Sequence, residues 1–176
     1  MKPTNIFEAV HAGSRKAVAE FIGQVNDRDA NGMTPLHRAV DGFHTRIAHD
    51  LLEAGADANA QDNLGRTPMH LAFDPTGNNV RTNWWVESGL IRELLDYGAR
   101  MDIGDNEGNT ILHIVVQIDC VWLTRHTALW NLLYRGGVRN TPNAKGKRPS
   151  DLTKVMRPQT EHWCEPVKRR CLALPA

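Results

Sequence analysis

Three histidines recur at one place in a repeated motif, which makes them the first residues to test for chemistry. His37, His70 and His113 each follow a threonine by three positions, in Thr34-Pro35-Leu36-His37, Thr67-Pro68-Met69-His70 and Thr110-Ile111-Leu112-His113. An imidazole can serve as a general base or a metal ligand, but either task needs partner groups assembled at one special place. Repetition at a fixed position argues for structure instead: each ring bridges the nearby Thr and the backbone of a neighbouring turn. His44, His49 and His126 are read as surface residues. His162 and Cys164 are two residues apart, a spacing that diverges on a helix, and no second ligand pair lies near them. Ser occurs only at 14, 88 and 150, and the sequence holds no Gly-x-Ser-x-Gly elbow and no glycine-rich phosphate loop. The expectation is a protein without catalytic residues, metal or cofactor.

The elements that carry these histidines repeat with them. Thr34 and Pro35 start a helix, because Thr can cap it and Pro loses nothing in the first turn. Leu36, Ala39 and Val40 then share one helical face. A second helix follows, with apolar pairs Ile47-Ala48 and Leu51-Leu52, and Gly55 ends it. The same unit restarts at Gly65, 33 residues after Gly32, again at Gly108, and partially at Gly146. A degenerate first copy begins at Thr4-Asn5-Ile6-Phe7, with Phe7 where later copies carry His. Second-helix pairs recur as Ala17-Val18 with Phe21-Ile22, Leu90-Ile91 with Leu94-Leu95, and Ala128-Leu129 with Leu132-Leu133.

A period near 33 residues carrying Thr-Pro-Leu-His-x-Ala resembles the ankyrin repeat, over about residues 4 to 155. The resemblance implies an all-α, ankyrin-repeat solenoid of about five stacked helix-turn-helix units with β-hairpin-like connectors. The units fall at about 4–30, 31–62, 63–105, 106–143 and 144–172, the first and last acting as caps of one domain spanning 1–176. No unit can bury its apolar face alone, so stacking must supply the core.

Two units are longer than the rest. The third carries ten extra residues between its helices, from Phe73 to Trp85, and Pro75 and Gly77 break its first helix. The fourth is longer by five residues, around Gln117 to His126. These stretches hold Trp84, Trp85 and Trp122, three of the five tryptophans, a residue type enriched at interface hot spots. Trp130, beside Ala128-Leu129, is read as partly core. In the fifth unit Arg148, Ser150 and Asp151 replace Thr, Leu and His, and the run 159–172 is read as a closing helix.

Composition narrows the function. Apolar residues make up 41% of 176, enough for a core, and the net charge of +1 names no dominant electrostatic partner. The charge is uneven: residues 1–144 carry −4 and residues 145–176 carry +5. The basic end, with Lys145, Lys147, Arg148, Arg157 and Lys168-Arg169-Arg170, could touch nucleic acid, but lacks a longer arginine-rich run and is read as a solvated cap. Cys120, Cys164 and Cys171 are odd in number without CxxC spacing, as expected of reduced thiols in the cytoplasm. No signal-like leader or membrane-length apolar run is expected.

Proteins similar to this one bind other proteins on a concave face of connector tips and first helices. That resemblance implies a non-enzymatic interaction module, an inhibitor or adaptor, with an immunity or antitoxin protein as the alternative form. Positions matching the family's variable contacts are Ala30, Asn31, Met33, Asp41, Asn63, Leu64, Arg66, Asp74, Asn106, Glu107, Asn109 and Gln117, to which the Trp84-Trp85 pair is added. No small-molecule substrate or membrane partner is expected.

Overall fold

The computed structural model describes residues 2–73, 84–116, 133, 137–152 and 169–174, with the backbone alone at 84–88. Asp74, Gln117, Trp122, Trp130, Cys120, Cys164, Val155 and most of the inserted segments and closing run lie outside the described residues. The chain forms two compact units, Met1–Ala99 and Arg100–Ala176.

The first unit holds three helical pairs: α1 (Ile6–His11) with α2 (Arg15–Glu20), α3 (Pro35–Asp41) with α4 (Thr45–Glu53), and α5 (Pro68–Ala72) with α6 (Trp84–Asp96). The first helices α1, α3 and α5 lie side by side, and α2, α4 and α6 form a second row. This is the layering of an ankyrin-repeat solenoid. Leu36, Ala39 and Val40 of α3 and Ile47, Ala48, Leu51 and Leu52 of α4 are all buried. The face predicted from three- and four-residue spacing is thus the face that meets its neighbours.

In the second unit, α7 (Ile111–Val115) contacts α8 (Pro149–Leu152). Ile111, Leu112, Val115 and Val138 are buried here, as is Cys171, whose thiol burial pushes up to about 12. That thiol is an apolar filler rather than a nucleophile. Ser150 occupies the position of Leu36 yet is buried, exchanging hydrogen bonds with Asn140. No strand occurs among the described residues, so the connectors are hairpin-like in path only.

Three details correct the sequence reading. Trp84 and Trp85 begin α6 and are not part of a loop, since nothing after them breaks a helix and an interior Gly89 costs only about 1 kcal/mol. Leu94 is fully buried but Leu95 is half exposed, because the stripe set by Leu90, Ile91 and Leu94 turns it outward. Phe21 and Ile22 leave the helical register: α2 ends at Glu20 and a 3-10 turn follows at Ile22–Gln24, leaving Ile22 exposed.

Candidate functional site

The four connectors are built on one plan, and they carry most of the predicted contact positions. In the first, the Asp29 carboxylate accepts from the backbone N–H of Asn31 (2.8 Å) and Met33 (3.0 Å), and Gly32 N–H donates to Asp29 C=O at 2.9 Å. Asp62 accepts likewise from Leu64 and Arg66, and Asp105 from Glu107 and Asn109. Asn143 does the same with Lys145 and Lys147. A short polar side chain that bonds the amides two and four residues on closes a turn without a ladder. Gly32 takes φ 73°, and a Cβ there would lie 2.4 Å from the Asn63 side chain, so only glycine fits both the twist and the close approach.

Adjacent turns are also stitched together within each unit. Asn63 N–H donates to Asn31 C=O at 3.0 Å, and the Asn63 amide donates to Ala30 C=O at 3.1 Å. In the second unit, Ala144 N–H donates to Glu107 C=O at 2.8 Å and the Asn143 amide donates to Asn109 at 2.8 Å. Lys145 pairs with Glu107 at 2.9 Å.

His37 and His113 fasten their helix starts to the next turn, and His70 keeps the local cap. Thr34 N–H donates to His37 Nδ1 at 3.1 Å, so Nδ1 carries no hydrogen and Nε2 must. Nε2–H then donates to Arg66 C=O at 3.0 Å, 29 residues away. His113 repeats this with Thr110 N–H and Lys147 C=O, and Thr67 N–H donates to His70 Nδ1. All three rings are buried, and the Thr hydroxyl that lies 2.8–3.0 Å from each Nδ1 belongs to the buried helix cap. The outer copies keep the local half of the device: Arg148 N–H donates to Asp151, and Thr4 N–H donates to Glu8. Phe7 stands at the sequence position of His37 but is only half-buried, and α1 starts one residue later than α3, on the cap Asn5.

Charge is organised inward. Burial pushes the Asp29 carboxyl up, but Arg38 and the amides of Met33 and Asn31 outweigh it and hold it below its ordinary range. Asp62 behaves the same way, with Arg66 as its partner. The connector acids at these anchor positions are turn formers, each carboxylate bonded back to its own turn. Burial lowers the pKa of His37 and His113, keeping both neutral. The unfolded chain, with histidines near pKa ~6.5, therefore binds more protons than the folded one below that pH. Stability contributed by the two rings is full above pH ~6.5 and falls as pH drops toward their folded values. The melting midpoint at pH 5.5 should lie below that at pH 7.5, and a His37→Phe, His113→Phe variant should show a smaller difference between the two.

The predicted contact positions separate on this geometry. Ala30, Asn31, Asn63, Leu64, Asn106 and Glu107 are exposed on the turns, with Leu64 58% exposed. Asp41, Arg66 and Asn109 are half-buried. Arg66 is also drawn back onto Asp62, and Asn109 onto Asp105. Met33 is buried and offers almost no surface. Of Trp84 and Trp85 only the helical backbone is described. The turn anchors Asp29, Asp62, Asp105 and Asn143 were absent from the contact set, although each stands three residues before a repeat glycine. Among the described residues no group of three His, Cys, Asp or Glu side chains could hold a metal, and no helix is long and apolar enough to cross a membrane.

Comparison with known proteins agrees with this architecture. Residues 6–82 match the family model for ankyrin repeats, in three copies. Mouse neurogenic locus notch homolog protein 1 is 47% identical over 160 residues, 75% of this chain and 6% of that protein. The Xenopus laevis form is 30% identical over 136 residues, 61% of the chain and 5% of that protein. Human transient receptor potential cation channel subfamily A member 1 is 38% identical over 93 residues, 53% of the chain and 7% of that protein. The chain thus spans a small fraction of the length of these relatives. The matching family is a general protein–protein interaction module, and none of these similarities indicates a catalytic family. With its capped Thr-x-x-His helix starts, paired helix rows and matching repeat copies, the chain belongs to the ankyrin-repeat family.

Proposed function

We propose that this protein binds a partner protein through the exposed connector turns and the first helices beside them, acting as an inhibitor or adaptor. The observation that carries the reading is the rigid presentation of Asn31, Leu64 and Glu107: each stands at the same turn position, exposed, on a backbone bonded to its own Asx anchor. Side chains held on a preorganised frame lose less freedom when they bind. Trp84 and Trp85, at the start of α6, stay in the proposal as interface anchors. The uncrosslinked, buried Cys171 supports a reducing, cytoplasmic setting. An immunity role is the narrower form, in which the partner is one toxin enzyme. Nucleic-acid binding has less support, since Lys145 is already paired with Glu107.

A photo-crosslinking amino acid placed at position 31 or 64, compared with one at exposed Lys16 on α2, tests the reading in cells. Adducts should form from the turns and not from α2, and mass spectrometry should identify them. One stoichiometric enzyme supports inhibition and several partners support an adaptor. Adducts confined to position 16 would refute the proposal.

A further inference from the structure

We propose that a cleft on the row of second helices, apart from the connector turns, receives an arginine side chain from a partner protein. The cleft lies between α4 and α6, is widely open to solvent and offers about 490 Å³, with Thr45 and His49 on one side and Leu90, Asp96 and Tyr97 on the other. That is room for a side chain rather than a folded element. Gly89 opens its floor: a Cβ there would meet nothing within 4 Å.

The charges of the wall are already partly spoken for. His49 Nδ1 lies 2.5 Å from Glu93, off the hydrogen-bond direction, and its Nε2 lies 3.5 Å from Glu53. The same ring meets Tyr97 edge to face, with centroids 6.4 Å apart at 82°, which fixes the phenol at the cleft mouth. Tyr97 stays 43% exposed, and beside it the Asp96 carboxylate is exposed and takes no partner among the described residues. An aromatic ring adjoining an unpaired carboxylate above an apolar floor matches a guanidinium. Its plane stacks on the ring, its fork reaches the carboxylate, and its stem lies on the floor. A lysine ammonium is more strongly hydrated and lacks the planar match. Arg92, one turn before Asp96, is the like charge that opposes the occupant.

The probe is N-acetyl-arginine amide, titrated into the full chain and followed at the Gly89 and Tyr97 amides by NMR. Saturable shifts with a dissociation constant on the order of millimolar are expected. Asp96→Asn should weaken binding about two- to fivefold, and Arg92→Gln should strengthen it by a similar factor. Neither side chain holds the fold, so both variants should melt as the parent does. N-acetyl-norleucine amide should give no saturable shift, and N-acetyl-lysine amide a weaker one. Equal binding of the norleucine or lysine compound, no saturable shift with the arginine compound, or unchanged affinity in Asp96→Asn would each overturn the proposal.

Discussion

Replacing His37 by alanine should lower the unfolding free energy by about 3 kcal/mol, measured by urea denaturation at pH 7.5. The ring is fully buried and joins two elements that are far apart in sequence. Its loss strands the Thr34 N–H inside the molecule, removes a donor from Arg66 C=O and leaves a cavity. Each stranded buried group costs about 1–3 kcal/mol, which exceeds the net worth of the bonds themselves. His11, exposed at the end of α1, supplies the control: His11→Ala should change stability by no more than about 0.5 kcal/mol. If His37→Ala matched that control, the imidazole would not be the fastening described here.

Leu51→Ala should cost about 2–5 kcal/mol. Leu51 is fully buried in α4, the helix that touches α2 on one side and α6 on the other. The cavity it leaves is therefore shared by neighbouring repeats, and collapse of one wall strains the next. Leu95→Ala should cost much less, about 1 kcal/mol, because half-exposed apolar area contributes less to burial. The sequence pairs Leu94-Leu95 with Leu51-Leu52 as equivalents, and the structure separates them. Equal losses at Leu51 and Leu95 would contradict the packing assigned to α6.

That separation shows where sequence reasoning reached its limit. The repeat unit, the Thr caps and the bridging histidines could be read directly, because each depends on local chemistry at a fixed spacing. Thr34 with Pro35 starts α3, and Gly55 takes a positive φ after α4, as their residue types require. The rotation of α6 was harder, since its start lay beyond a ten-residue insertion with no repeat spacing to count from. Asp29 and Asp62 are of a residue type that forms turns, but their reach to Arg38 and Arg66 depends on how the chain folds back after the turn. Met33 was read as a contact residue from its place beside a tip, yet the turn directs it into the core. Asn63 stays exposed on its turn, and its side chain also ties the neighbouring turn through Ala30 C=O. Position within a repeat therefore located the surface, and hydrogen bonding between repeats decided which of its side chains remain free.

Amide hydrogen exchange in the connectors tests the central claim most directly. A turn held by its own Asx side chain and by the next repeat should resist exchange even though it lies outside any helix. The account predicts that the N–H groups of Met33, Asn63, Arg66, Asn109 and Ala144 are protected to nearly the same degree as those of the core helix α4 in the first unit and α7 in the second. Exchange of those amides at the rate of an unstructured peptide, with the helices still protected, would show that the turns are loose tethers and would contradict it.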